Sequence, residues 1–305
     1  MADFSSSFSP YAGQLAALGA ASGWAVSTLA FETASRRIGS MPANLVRLPI
    51  AFAFLTLAAW LARGNPLPAD ASPHAWIWLG VSGLAGFSFG DLCLYRAYLL
   101  IGPRLSSLMM SLVPPLAALI GWAVLGETLS GRDLLGMGLT LGGIVWAILE
   151  RQPRGSAASA GHPPMTGLAL GFGGALGQAV GLILSKLGMG SYHPLAANQI
   201  RVIAGFLGFA AIFTVLGIWP RVGSALRDTR ALGFATLGAF FGPFVAVSLS
   251  LVAIRATTAG VAASIMATTP ILVIPLVILL RGERVGLGGL GGAVLAVAGV
   301  ALLFL

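Results

Sequence analysis

Asp91 is the residue best placed to do chemistry, because it is the one acid clearly inside an apolar run. It stands in "GFSFGDLCLYRAYLL" with Phe87, Tyr95 and Tyr98 at i−4, i+4 and i+7, a spacing that puts all four on one helical face. A carboxylate among aromatics suits a water-filled cavity for a zwitterion or an aromatic side chain, or a proton-coupling site. It equally suits a structural ion pair with Arg47 or Arg96, since buried charges are generally paired. Arg47, in "ANLVRLPIAFAF", and Arg201, in "ANQIRVIAGFLG", are the other charges at membrane depth. Each is expected about one turn inside its helix, where a guanidinium anchors internally, snorkels to the headgroups or meets substrate. Depth permits an Asp91–Arg47 pair, whereas Arg201 has no acid in view.

Other chemistries find little support. His74, His162 and His193 fall in separate connections, and the single cysteine, Cys93, lies in an apolar run, so neither a metal centre nor a disulfide framework is expected. The glycine pattern "GLGGLG" at Gly286–Gly291 follows no strand and lies in the last apolar segment, so it is no dinucleotide fingerprint. No His-Glu-x-x-His or Gly-x-Ser-x-Gly occurs, and no cofactor is expected.

The elements that position these residues follow from composition. Of 305 residues 57% are hydrophobic and 9% charged, against roughly 25% charged in soluble domains. Such a chain cannot cover a water-facing surface, so an all-α integral membrane protein is expected. The net charge of +8 is spread thinly over short connections, without the basic patch that nucleic acid requires. The start, "MADFSSSFSPYAGQ", lacks a basic n-region, so no cleavable signal peptide is expected.

A bilayer core takes roughly 20 apolar residues per helix. Ten spans are predicted, near 11–31, 43–62, 75–100, 104–125, 131–149, 165–186, 195–219, 230–253, 258–280 and 286–305. A Pro/Ser/Gly-rich linker at 150–164 separates five from five, giving repeats at 11–149 and 165–305. The halves align: Gly13, Gly19, Gly23 and Asn44–Arg47 match Gly167, Gly173, Gly177 and Asn198–Arg201 at an offset of 154. At 156, Gly86, Pro114, Gly126-Glu127, Gly136 and Gly143 match Gly242, Pro270, Gly282-Glu283, Gly292 and Gly299. Five spans per copy make the second copy enter from the other side, so the repeats are inverted. Eleven arginines fall in connections 1–2, 3–4, 5–6, 7–8 and 9–10, against Arg63, Arg132, Lys186 and Arg255 on the other side. The positive-inside rule then places both termini in the periplasm.

Two further features gather near the midplane, where inverted repeats hold their substrates. Pro114-Pro115 and Pro270 (with Pro275) interrupt the fourth and ninth spans as hinges or cavity lining, or as plain packing kinks, with Ser111, Thr268 and Thr269 near the freed carbonyls. Small-residue spacings at Gly19/Gly23, Gly86/Gly90, Gly138/Gly142 and Gly173/Gly177/Gly181 read as close packing. Gln178, Ser185, Trp24 and Ser27 beside them are candidate cavity residues. Trp60, Trp76, Trp78, Trp146 and Trp219 lie near span ends as interface anchors.

The stretch "LYRAYLLIGPRLSSLMMSLVPPLAALIGWAVLGETLSGRDLLGMGL", and its partial echo "ATTAGVAASIMATTPILVIPLVILLRGERVGLGGLGG", resemble the EamA domain of the drug/metabolite transporter superfamily. The pattern is Tyr-x-Ala, Pro, Gly-Glu and a later Gly; the second half lacks the tyrosine. Within the superfamily the chain is most similar to bacterial amino-acid exporters of the YddG type. The resemblance implies ten helices in two inverted five-helix repeats around a central cavity. It also implies a secondary transporter that exports amino acids, aromatic ones among them, or related small metabolites across the bacterial inner membrane. A drug or nucleotide-sugar carrier of the same superfamily is the alternative, and an integral-membrane lipid-modifying enzyme a more distant one. The expected partners are a small-molecule substrate and the bilayer, with no nucleic acid, for a chain working as a monomer.

Overall fold

The computed structural model describes residues 11–149, 164–281 and 287–303. Among the described residues every element is helical. The first half holds α1 (Ala12–Ile38), α2 (Ser40–Arg63), α3 (Pro73–Gly83), a π-helical segment (Leu84–Gly90), α4 (Asp91–Met110), α5 (Val113–Leu125) and α6 (Gly131–Leu149). The second holds α7 (Met165–Met189), α8 (Pro194–Val215), the short α9 (Pro220–Ala225), α10 (Thr229–Ala239), a second π-helical segment (Phe240–Ala246), α11 (Val247–Ala256), α12 (Ala259–Met266), α13 (Thr269–Arg281) and α14 (Leu287–Leu303). Among the described residues six stretches are individually long and apolar enough to cross a bilayer: α1, α2, Pro73–Ala97, α7, α8 and Thr229–Ala256. The linker 150–164 lies, except for Pro164, outside the described residues, as do His162, Gly282-Glu283 and the start of the Gly286–Gly291 run.

The structure sharpens one expectation about the spans and corrects another. The interruptions expected in the fourth and ninth spans lie just before the prolines and are full breaks rather than kinks within one helix: turns at Ser111–Leu112 and Ala267–Thr268 separate α4 from α5 and α12 from α13. Pro114, Pro115 and Pro270 accordingly sit in the first turns of α5 and α13, where a missing N–H is tolerated, whereas Pro275 lies inside α13. Pro270 deprives the Met266 carbonyl of a helical donor, and the Thr269 hydroxyl replaces it at 2.8 Å, while Thr268 bonds Ile265 O at 2.7 Å. Ser111 and Pro114 are buried and Pro115 is exposed.

The correction concerns the connection expected near residues 101–103, where α4 instead continues to Met110 and carries Arg96 and Arg104 on a helix. At the matching place in the second half the chain does open. Thr257 is extended, and the Thr258 hydroxyl accepts from Val261 N at 3.4 Å to start α12. Ile101 and Gly102 hold those positions in the first half and offer no capping oxygen.

The glycines matched between the halves explain how the helices approach. A Cβ at Gly13 would meet Ala256 and Thr257, one at Gly19 would meet Leu249, and one at Gly23 would meet Phe241 O and Ala246. Their mates do the same in reverse: Gly167 faces Leu100 and Ile101, Gly173 faces Cys93, and Gly177 faces Ala85 O and Gly90. Subtracting 156 from each contact of the first set gives a contact of the second. The first helix of each half thus lies along the third helix of the other. Reciprocal hydroxyls cross the same seam, Ser27 to Gly238 O at 2.9 Å and Ser82 to Gly181 O at 2.6 Å.

In α6 the close approach falls on Gly136, against Gly299 O and Leu303, and on Gly143, against Gly292 O and Ala296. These contacts run in opposite directions along the two helices, so α6 and α14 are antiparallel. Gly138 and Gly142 have nothing within 4 Å among the described residues, so that spacing forms no packing seam with them. Larger side chains fill the space between α2 and α8, where Leu48, Leu55, Phe209 and Phe213 form one fully buried cluster. Trp60, Trp76, Trp146 and Trp219 are exposed, as interface anchors would be, and so is Trp122 in the last turn of α5.

Polar contacts tie the helix ends. Gly126 closes α5 in the left-handed conformation (φ +65), which turns Glu127 back so that its Oε2 accepts from Ala259 N at 2.9 Å at the start of α12. Lys186, at the end of α7, pairs with Glu127 at 2.5 Å and donates to Thr257 O at 2.6 Å. The Gly-Glu pattern is therefore a turn followed by a cap between halves. Elsewhere Arg37 pairs with Asp228 at 2.9 Å.

Arg63 pairs with Asp70, which also accepts from the Tyr192 hydroxyl at 2.8 Å, beside a cleft of about 500 Å³ that His74 and His193 help to line. Burial first, and then the bond to Asp70, push the Tyr192 phenol up to about 12. Its neutral form is favoured in the folded state, so the stabilisation is complete below the usual phenol value near 10 and is lost as pH rises through about 12. The difference in tyrosinate absorbance between the wild type and Tyr192→Phe is expected to titrate near 12; a midpoint near 10 would refute this environment.

Candidate functional site

The charges meet at the first π-helical segment. A π turn closes over five residues instead of four and leaves some carbonyls without their usual donors, and such segments are frequent at functional sites. Asp91 N donates to Gly86 O, five residues back, and Val247 N donates to Gly242 O in the same register. The two π segments are 156 residues apart at both ends, on the offset that relates the rest of the two halves. Each recruits a side-chain amide from another helix: Gln178 Nε2 donates to Gly86 O at 3.3 Å, and Asn198 Nδ2 donates to Pro243 O at 2.8 Å. The asparagine of the second Asn-x-x-Arg motif thus serves a carbonyl of the neighbouring π segment. No sequence periodicity announces that role.

Asp91 is buried, and both of its oxygens are engaged. Arg47 Nη2 donates to Oδ2 and forms an ion pair, and Gln178 Nε2 donates to Oδ1 at 3.0 Å. Arg47 also stacks over Phe31, with its guanidinium carbon 5.3 Å from the ring centre. The expected Asp91–Arg47 pair therefore forms, and Arg96, the alternative partner, is exposed. Arg47 is deeper than a one-turn estimate, because α2 begins at Ser40. Tyr95 lies beside Asn44 and within electrostatic range of both members of the pair. The side chain of Tyr98 lies outside the described residues, as does that of Pro270.

Of the roles open to Arg201, snorkelling to the headgroups is not the one taken: it is only 5% exposed, and it shares an aromatic ring with Arg47. Phe87 lies 5.3 Å from the guanidinium carbon of Arg201 and 6.0 Å from that of Arg47. The halves thus bring their matched arginines to one place instead of holding them at opposite surfaces. Asp91 acts on Arg201 electrostatically without forming an ion pair with it. Arg201 has no hydrogen-bond acceptor among the described residues, and its Nε is buried without a partner.

The remaining candidates divide between site and scaffold. Gln178 and Phe87 belong to the charge cluster. Ser27 and Ser185 are spent on helix contacts, Ser185 bonding Gly181 O at 2.6 Å and Ser82 at 2.7 Å. Trp24 packs between two apolar clusters. Thr268 and Ser111 sit at the breaks in the fourth and ninth spans. Among the described residues no three His, Cys, Asp or Glu side chains converge as metal ligands.

Long apolar helices that wrap a paired acid and two buried guanidiniums define a multi-pass membrane protein. The chain belongs to the EamA-like transporter family, whose model matches residues 11–149 and 165–305, and it is thus a membrane transporter of the drug/metabolite transporter superfamily. No curated protein matches it. A solved crystal structure, titled only as that of a protein, covers 95% of both chains with a TM-score of 0.75 at 20% identity, a likeness that concerns the fold alone.

Proposed function

We propose that this transporter exports amino acids, aromatic ones among them, or related small metabolites across the bacterial inner membrane by alternating access. Its architecture in this reading is ten spans in two inverted five-helix repeats, 11–149 and 165–305, with the substrate held between them. Support comes from the exchanged contacts at a constant offset and from the antiparallel crossing of α6 with α14. The observation that carries the reading is the charge cluster around Phe87, where the π segment of one half meets the second helix of both. Ionisable groups at such depth are costly and mark substrate or ion pathways. The breaks at Ser111–Leu112 and Ala267–Thr268, followed by Pro114 and Pro270, supply matched hinges about which the halves rock. The arginine bias places both termini in the periplasm, and the chain works as a monomer without a cofactor.

The cation-carrier alternative needs an acid free for a drug amine, and Asp91 already serves Arg47 and Gln178. The test is flux of labelled amino acids into proteoliposomes holding the purified full chain. Saturable uptake that exceeds protein-free vesicles at least tenfold is expected for some members of the panel. Absence of flux across the whole panel would sink the export of amino acids.

A further inference from the structure

We propose that Arg201 is the receptor for the carboxylate of the transported molecule, which makes this a carrier of monocarboxylates, including zwitterionic amino acids. The proposal rests on the transport reading for its cargo, but its evidence is separate. Arg47 and Arg201 are repeat mates at an offset of 154, and the acid that serves Arg47 is Asp91. On the 156-residue offset of the π segments, the mate of Asp91 is Val247, so the partner that symmetry would give Arg201 is an alkyl side chain. The result is two guanidiniums and one carboxylate around one phenyl ring, a buried excess of one positive charge.

An unpaired buried cation costs several kcal/mol and persists where something else neutralises it. Beside Arg201 Nη2 there is room for a methyl-sized group, because Gly86 contributes no side chain there. A Cβ built there would lie 3.5 Å from Arg201 Nη2 and 3.8 Å from Gln178 Oε1, with only ordinary contacts. Gln178 Oε1 faces the same space, so an ammonium group next to the carboxylate would find an acceptor. A guanidinium binds carboxylate through two parallel N–H donors, whereas one excess charge under-neutralises a dianion. The site therefore selects a monoanion.

The test uses the purified full chain, with thermal shift as a binding readout independent of transport. Probes are the standard amino acids, monocarboxylates from acetate to 3-phenylpropanoate, the amide of each carboxylate that binds, and inorganic phosphate. At least one carboxylate is expected to stabilise the wild type while its amide does not. Apparent affinity should fall at least tenfold in Arg201→Gln and less in Arg201→Lys. Without ligand, Arg201→Gln should melt higher than the wild type by about 2–4 °C, since it removes an unpaired charge.

Val247→Asp, which restores the missing acid, should fold and lose carboxylate binding as well. Two results overturn the proposal: equal response to acid and amide, or unchanged carboxylate affinity in both Arg201→Gln and Val247→Asp. Arg201-dependent stabilisation by phosphate alone overturns the carboxylate assignment. Labelled flux separates the two readings. Flux that ignores the carboxylate removes the Arg201 site and leaves transport standing, whereas Arg201-dependent binding without flux removes transport and leaves the site.

Discussion

Asp91→Asn is expected to lower folding stability by about 3 kcal/mol, the lower end of the cost of breaking a buried pair. The substitution keeps shape but only one carbonyl acceptor, so either Gln178 or Arg47 loses its oxygen and faces an amide N–H instead. What disappears is the only negative charge near the two guanidiniums among the described residues. Arg47 then joins Arg201 as a buried cation without a counter-ion, and the cluster carries two excess positive charges. Asp91→Asn with Arg47→Met should regain much of the loss, because the second change removes the cation stranded by the first. Thermal unfolding of both single variants and the double gives the coupling directly. A favourable coupling of about 0.5–3 kcal/mol is expected between such neighbours, and additive losses would refute the pair as a stabilising unit. Transport should fall in Asp91→Asn, since the unpaired Arg47 would compete with Arg201 for an anion.

Much of this arrangement was legible in the sequence, for definable reasons. Asp91 and Arg47 could be paired in advance because charges in an apolar chain are few, and cost forces them together. The glycine matches exposed the two halves because close helix approach admits only small residues at fixed places. Position along a helix was less legible. The start of α2 at Ser40 moved Arg47 a turn deeper, since the helix begins directly after Gly39 and ahead of the apolar run that marks the span in sequence. The π segments carry no composition signal at all: "LAGFSFG" and "FFGPFVA" share one aligned glycine and little else. Their existence depends on amides from other helices, Gln178 and Asn198, so they are tertiary facts. The serines misled for a related reason. Ser27 and Ser185 look like cavity hydroxyls in sequence, but Ser27 bonds the Gly238 carbonyl of a neighbouring helix and Ser185 bonds the Gly181 carbonyl one turn back on its own helix and the Ser82 hydroxyl.

Gly83→Ala should do more damage than any other single methyl on α3. A Cβ there would lie 2.2 Å from the carbonyl oxygen of Arg201 and 2.9 Å from both its carbonyl carbon and Cα. All three atoms are backbone, so no rotamer relieves the clash, and α8 must move away by about 1 Å to reach ordinary contact distance. Overpacking of this kind costs about 1–3 kcal/mol, and here it also shifts the guanidinium of Arg201 relative to Phe87. Gly80, one turn earlier on the same helix, has nothing within 4 Å and supplies the control. Gly80→Ala should be neutral or stabilising by up to about 1 kcal/mol, the usual gain of alanine over glycine inside a helix. The two variants add the same atom to the same helix, so any difference reports the approach of α3 to α8. Gly83→Ala should lower the melting temperature and weaken carboxylate binding together, while Gly80→Ala changes neither for the worse. Equal behaviour of the two would mean that the backbones of α3 and α8 do not meet at Arg201, and the placement of its side chain in the charge cluster would fall with that contact.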